Sequence, residues 1–131
     1  MASTTGGALK AKIESLGLGL AAYRDQPPPG HALPLVVIQE SIAITPDPLE
    51  DGQLTTGAEQ VQVDLFETLG SEDSALARGI IAGLHGARLN SIGSAPARLV
   101  YVVLVRGKNR VIDLQMTQVR HIIDLDVLRE L

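Results

Sequence analysis

The sequence predicts an α+β fold: a single domain with a mostly antiparallel sheet of five to six strands and two helices packed on one face. Two observations predict it. Within the expected strand at 59–68, residues 60–65 alternate strictly, apolar at odd positions from Val61 to Leu65 and polar at even positions from Gln60 to Asp64, which is typical of a strand with one buried face. A helical period follows within 71–86. The 131 residues fit one domain, 1–131, which is long enough for a sizeable core.

Composition excludes several classes of function. Hydrophobic residues make up 45% and aromatic residues 2% of the chain, so the core is aliphatic and a platform for stacking bases is not expected. The net charge of −4 gives no general electrostatic footprint for nucleic acid. The chain has no cysteine, which excludes disulfides and thiolate metal sites. It shows no secretory signal and no apolar run of about 18 residues, so we expect a soluble protein made in a cytoplasm.

The first half of the chain predicts one helix and two strands. Residues 1–7 are small and polar, and we expect them to be flexible. Residues 8–16 form a helix and 20–24 a short strand. Residues 35–45 read as a long strand in which Glu40 interrupts an apolar face, so either a bulge lies near 39–41 or the strand leaves the core there. Residues 46–58 form a long polar loop that protrudes as a binding arm.

The second half begins with the alternating strand, which we expect to pair antiparallel with 35–45. Ser71 is predicted to cap a helix with Glu72 and Asp73 in its first turn. The apolar stripe of this helix is Leu76, Ile80, Ile81 and Leu84. Gly79 and Gly83 weaken the helix, and their spacing indicates a close approach to the sheet or to a neighbouring subunit.

Residues 97–106 are apolar on both faces, which is typical of a central strand covered on both sides. Two short helices can cover only one face of the sheet. We therefore expect another copy of the protein to cover the other face. Residues 107–109 read as a turn, 111–116 as a strand, and 117–127 as a further strand or its extension.

The side chains that could carry chemistry do not form a recognisable set. The carboxylates of Asp64, Asp113, Asp124 and Asp126 could serve a Mg²⁺-dependent nuclease, but alternation places Asp64, Asp124 and Asp126 on the outward faces of strands, where solvated acids are ordinary.

The other reactive side chains match no motif. His31, His85 and His121 match no zinc spacing, and His121 reads as a core or interface histidine rather than a catalytic base. Neither a Gly-x-Ser-x-Gly motif nor a phosphate-binding loop occurs. We therefore expect no catalytic, cofactor-binding or metal-binding residues, and no enzymatic activity.

The basic residues gather in one region. Arg106, Lys108, Arg110 and Arg120 surround the expected turn at 107–109. This patch could meet an acidic neighbour or DNA that passes nearby, or it could simply keep a charged hairpin soluble.

Taken whole, the chain resembles the tail terminator (tail-completion) proteins of long-tailed bacteriophages over about residues 8–128. The resemblance lies in the opening ALKAKIESL, the segment YRDQPPPGHALPLVVIQES, the strand EQVQVDLFE, the helix SEDSALARGIIAGLHG and the closing VVLVRGKNRVIDLQMTQVRHIIDLDV. The usual family form has tryptophan where Phe66 stands, so an aromatic residue is kept there.

The resemblance implies a structural virion protein. Such proteins form a ring, usually a hexamer, on the head-proximal end of the tail tube, where they stop polymerisation of the tube and provide the docking surface for the head connector. The implied partners are further copies of the chain, the major tail tube protein and the connector or neck protein. Genomic DNA passes through the lumen without specific binding, and the particle is assembled in the host cytoplasm.

The residues agree with this role in three respects: no reactive set, a strand that needs a second cover, and a net negative charge that suits a DNA conduit. The rivals are a head–tail connector (stopper or neck) protein of the same particle, a small Mg²⁺-dependent nuclease, and a non-viral oligomeric adaptor.

A ring of this kind needs two complementary patches on each subunit. For the subunit interface we expect Tyr101, Val103, Val105, Gly79, Gly83 and Arg120. For the contact with the tube or the connector we expect Pro46, Asp47, Pro48, Leu49, Glu50, Asp51, Arg106, Lys108 and Arg110.

Overall fold

The computed structural model describes residues 5–25, 33–46, 56–68, 74–89, 100–115 and 117–130. These ranges contain two helices and five strands. In chain order they are α1 (Thr5–Glu14), β1 (Ala22–Arg24), β2 (Leu35–Pro46), β3 (Thr56–Thr68), α2 (Ala75–Leu84), β4 (Val100–Asp113) and β5 (Gln118–Glu130). Within the ranges, neither helix is long and apolar enough to cross a membrane.

The five strands form one sheet in the order β1-β2-β3-β5-β4. β1 runs parallel to β2, and the other three pairs are antiparallel. The α+β fold with a mostly antiparallel sheet is therefore confirmed. The position predicted for residues 97–106 is wrong, because β4 lies at the edge of the sheet and not at its centre. Residues 97–99 lie outside the described ranges.

The core lies between the helices and one face of the sheet. α1 contributes Leu9 and Ile13, and α2 contributes Ala77, Ile80 and Leu84, all at or near zero exposure. The odd residues Val61 to Leu65 of β3 meet them, together with inward residues of β2 and β5. The alternation that predicted this strand is thus confirmed, and both helices pack against the same face. We call this the helix face and the opposite side the second face.

Several boundaries differ from expectation. α1 begins at Thr5, which is buried, so packing overrides the flexible composition expected for residues 5–7. α2 begins at Ala75 with Ser74 as its N-cap, so Ser71 does not cap it and the acids at 72 and 73 precede the helix. The register of β2 against β3 shifts between Gln39 and Ala43, which confirms the bulge.

Both ends of the loop expected at 46–58 belong to strands, because β2 includes Pro46 and β3 begins at Thr56; residues 47–55 lie outside the described ranges. The turn expected at 107–109 is wrong. β4 continues through these residues, with a register shift between Val105 and Gly107 that restores pairing with β5. A bulge inserts an extra residue without ending a strand, and the chain reverses after Asp113.

Candidate functional site

A buried ion pair lies on the second face, between β3 and β5. Arg120 Nη2 donates to Asp64 Oδ2 at 2.7 Å. The Asp64 carboxylate also accepts from Gln62 Nε2 at 2.9 Å and from Gln39 Nε2 at 3.4 Å. Asp64 is only 1% exposed. The expectation that its carboxylate is solvated is therefore wrong, because donors from three strands replace the water.

The register explains why these residues meet. Asp64 pairs with Ile122 across the β3–β5 ladder, which places it diagonally from Arg120, within the reach of a long side chain. The guanidinium carbon of Arg120 also lies 5.8 Å from the centre of the Phe66 ring, close enough for a cation–π contact. The pair therefore joins two strands across the second face, and its charges are balanced inside the subunit.

A second polar cluster is buried under the start of α2. Ser74 Oγ accepts from Ala77 N at 2.9 Å as the helix cap and donates to Glu67 Oε1. His121 is fully buried, with Nε2 at 3.6 Å from Glu67 Oε1. In a nucleophilic triad the histidine lies between the serine and the acid. Here the acid accepts the serine hydroxyl, so the cluster fits a structural role. The prediction of a core histidine at 121 is confirmed.

The other carboxylates considered for chemistry have local roles. Asp126 accepts from Arg106 Nη1 at 2.8 Å, and Asp113 accepts from the backbone of Gln115 at 3.1 Å. Asp124 and Asp126 line an open hollow of about 360 Å³ beside Gln60 and Arg106. Among the described residues, no group of three or more histidine and carboxylate side chains is placed to hold a metal ion.

The end of β4 before the turn is exposed. We call residues 108–114 the β4 tip. Lys108, Asn109 and Arg110 are exposed, and Val111, Ile112 and Leu114 are the exposed large hydrophobic residues of the described chain, at 47%, 45% and 73%. The sequence predicted the basic residues of this surface but not these three hydrophobic residues. The pattern that predicts them is an apolar run that directly follows basic residues at alternate positions of the strand.

The other end of β4 is covered from within the subunit. After α2, Gly86 N donates to the carbonyl of Val103 at 2.7 Å, and Val103 N donates to the carbonyl of Ala87 at 2.8 Å. Val105 N donates to His85 Nδ1 at 3.0 Å. Residues 85–87 thus occupy the outer edge of β4 at 103–105, and the β4 tip lies beyond this cover.

Most residues expected at the subunit interface are engaged inside the subunit. Val103 is buried in the core, and Val105 packs against it. Arg120 binds Asp64. A Cβ atom on Gly79 would lie 3.0 Å from Leu18 Cδ2, and one on Gly83 would lie 2.6 Å from Leu16 Cδ2. Within the subunit, the close approach expected at these glycines is therefore made to the segment after α1 and not to the sheet.

The remaining expected contact residues divide into two groups. Lys108 and Arg110 are exposed on the β4 tip, and Arg106 is exposed but paired with Asp126. The side chains of Tyr101 and Pro46 lie outside the described part of the structure, as do residues 47–51 altogether. The contacts expected of these residues, and those expected of the interface residues above, stay predictions.

One comparison with known proteins finds a chain of similar fold. A chain in the virion of a native gene transfer agent (GTA) particle has a similar fold, with a TM-score of 0.68 and 15% sequence identity. The match covers 95% of this chain and 96% of that chain. No protein-family model matches the sequence, and no curated protein matches it. The likeness at this identity is one of fold.

Proposed function

We propose that the protein is a structural subunit of a phage-like particle. In this role it forms a ring, most simply a hexamer, that caps the head-proximal end of the tail tube, stops tube polymerisation and provides the docking surface for the head connector. The observation that carries the proposal is the likeness to a chain of the GTA virion, which extends over nearly the whole of both chains.

The geometry of the described residues supports a structural role. The carboxylates of Asp64 and Asp126 are balanced by arginines, and the Ser74 hydroxyl is bound by Glu67. These groups stabilise the fold and are not presented to a substrate. The exposed hydrophobic residues Val111, Ile112 and Leu114 all belong to the β4 tip, which makes the tip the proposed place of contact with another protein.

The overall charge is consistent with a ring through which DNA passes. The chain carries a net charge of −4, and a conduit of like charge would not retain its cargo. The tail tube protein and the connector are accordingly the proposed partners, with DNA in the lumen.

The proposal is tested by deleting the gene in a strain that produces the particle and imaging the products by electron microscopy. A terminator predicts tails of uncontrolled length, restored to a uniform length by the wild-type gene on a plasmid. Tails of normal length with heads that leak DNA would instead assign the protein to the connector. Particles with normal tails and full, attached heads would contradict both structural roles.

A further inference from the structure

The helix-face side of the β4 tip presents a short basic and apolar stripe. In the β4–β5 register, Lys108 pairs with Ile123, Arg110 with His121 and Ile112 with Val119. Directly paired residues of antiparallel strands point to the same face, and Ile123, His121 and Val119 are buried on the helix face. The three β4 side chains therefore share that face. The helices do not cover them, and Asp113 points to the other side.

The chain contains a segment of complementary chemistry between β2 and β3. Residues 47–55, DPLEDGQLT, carry three acids, no base, and an apolar Leu49 beside Glu50. The two basic side chains of the β4 tip are complementary in charge to the carboxylates of this segment, and Ile112 is complementary to Leu49 as an apolar partner. Charges of opposite sign arranged in this way favour and orient a contact between two surfaces.

The two surfaces lie at opposite ends of the sheet. Pro46 pairs with Gly57, whereas Ile112 pairs with Val119, which pairs with Glu67. Ten residues separate Gly57 from Glu67 along β3, which is about 33 Å at the usual rise of a strand. A nine-residue segment that leaves Pro46 and returns to Thr56 extends at most about 15 Å from the end of the sheet. The segment therefore falls short of the β4 tip of its own subunit.

We infer that residues 47–51 of one subunit bind the Lys108, Arg110 and Ile112 stripe of the next copy of the chain. This contact joins two different surfaces, and such head-to-tail contacts repeat around a ring. The inference rests on the proposed function for its ring but commits to a contact between copies of this chain. It differs from the expectation that both surfaces bind the tube or the connector, and the tests below distinguish the two.

The first test uses two charge-reversed variants and their mixture. In K108E/R110E both surfaces are acidic, and in E50K/D51K the segment is basic while the stripe stays basic. Each variant alone should associate roughly tenfold or more weakly than the wild type. In an equimolar mixture, both kinds of contact between unlike subunits have opposite charges, so association should return. The matched control K12E/R88E changes the net charge by the same amount as K108E/R110E, at one half-buried and one exposed position elsewhere on the chain. It should associate like the wild type.

The measurement is the mass distribution by analytical ultracentrifugation or native mass spectrometry, with and without purified tail tubes. Variants that associate like the wild type, or a mixture no better than its components, would overturn the inference. If the variants associate with themselves like the wild type but no longer bind the tube, the two surfaces bind the tube. The inference is then wrong, whereas the proposed ring survives.

A second test applies even when association is weak. Because the chain has no cysteine, the variant L49C/I112C carries a single engineered pair that can be oxidised. Contact between copies predicts a ladder of disulfide-linked species up to a closed ring, whereas mixing the two single variants should stop at dimers. Thiol labelling of each variant checks that the cysteines are reactive. Reactive cysteines that give no ladder, both in solution and on tail tubes, would overturn the inference.

Discussion

The structure makes a sharp prediction about the ion pair between Asp64 and Arg120. Replacing Arg120 by methionine keeps an unbranched side chain that can pack on Phe66 but removes the charge. The Asp64 carboxylate, 1% exposed, would then keep only the two glutamine donors. An ionised carboxylate in this position lacks both water and a countercharge, so the folded state is destabilised.

The expected loss in the free energy of unfolding follows from the burial of Asp64 and Arg120. Removing one partner of a fully buried pair costs about 3–5 kcal/mol. Because the Arg120 side chain is 34% exposed, water can reach the carboxylate after the change, and we expect a loss of about 2–3 kcal/mol for R120M. D64N should cost about 1 kcal/mol in the wild type. In the R120M background the same change removes the bare charge, so D64N should stabilise that variant.

The assay is urea unfolding at 25 °C at a concentration where the chain is monomeric, for the wild type, both single variants and the double variant. The control is R106M, which breaks the pair with Asp126 at a site where the arginine side chain is 64% exposed, and its cost should stay below about 1 kcal/mol. The reasoning is refuted if R120M costs no more than R106M, or if D64N destabilises the R120M variant.

Three further changes test other contacts, the first two by their effect on the free energy of unfolding and the third by amide hydrogen exchange. G83A should destabilise by about 1–2 kcal/mol despite the better helix propensity of alanine, because the new Cβ would meet both Cδ atoms of the leucine at 16, at 2.6 and 2.7 Å. G79A, with its nearest contact at 3.0 Å, should cost less, and an equal or larger cost would contradict the packing. S74A removes the helix cap and the donor to Glu67 and should cost about 1–3 kcal/mol, whereas S15A, at an exposed serine after α1, should cost less than about 0.5 kcal/mol. H85A removes the acceptor for Val105 N and should speed amide hydrogen exchange at that residue more than at Val103, whose amide bonds to a backbone carbonyl; equal changes would contradict this assignment.

The sequence predicted those parts of the fold that depend on local periodicity. Alternation in Val61 to Leu65 defined a strand and its buried face, because a side-chain period of two leaves only one way to bury three aliphatic residues. The bulge near Gln39 was predictable because a charged residue at position 40 interrupts an apolar face. Each of these two patterns is local, since it can be recognised within a single short segment of the chain.

The polar clusters depend on register and were not predictable in the same way. The partner of Asp64 lies 56 positions further along the chain, on a strand whose pairing the sequence does not specify. Asp64 alone on an outward position looks like a solvated acid. Only the β3–β5 register shows that Arg120 lies diagonally across from it.

The two errors around β4 have separate physical causes. Gly107 and Asn109 are typical of a turn, but the bulge at Gly107 and pairing with β5 keep the strand continuous. The apolar run before them indicated a central strand, yet residues 85–87 cover the outer edge there. Cover by the segment that follows α2 has no periodic signature, so composition alone assigned the strand to the wrong place in the sheet.

The central claim is that copies of this chain close into a ring on the end of a tail tube. The most direct test is the mass of the wild-type protein measured alone and after addition of purified tail tubes, with the tube ends imaged in parallel. A ring predicts a closed species bound at one end of the tube, of about 83 kDa for six chains of 13.9 kDa. A protein that stays monomeric in both conditions and leaves the tube ends bare would contradict it.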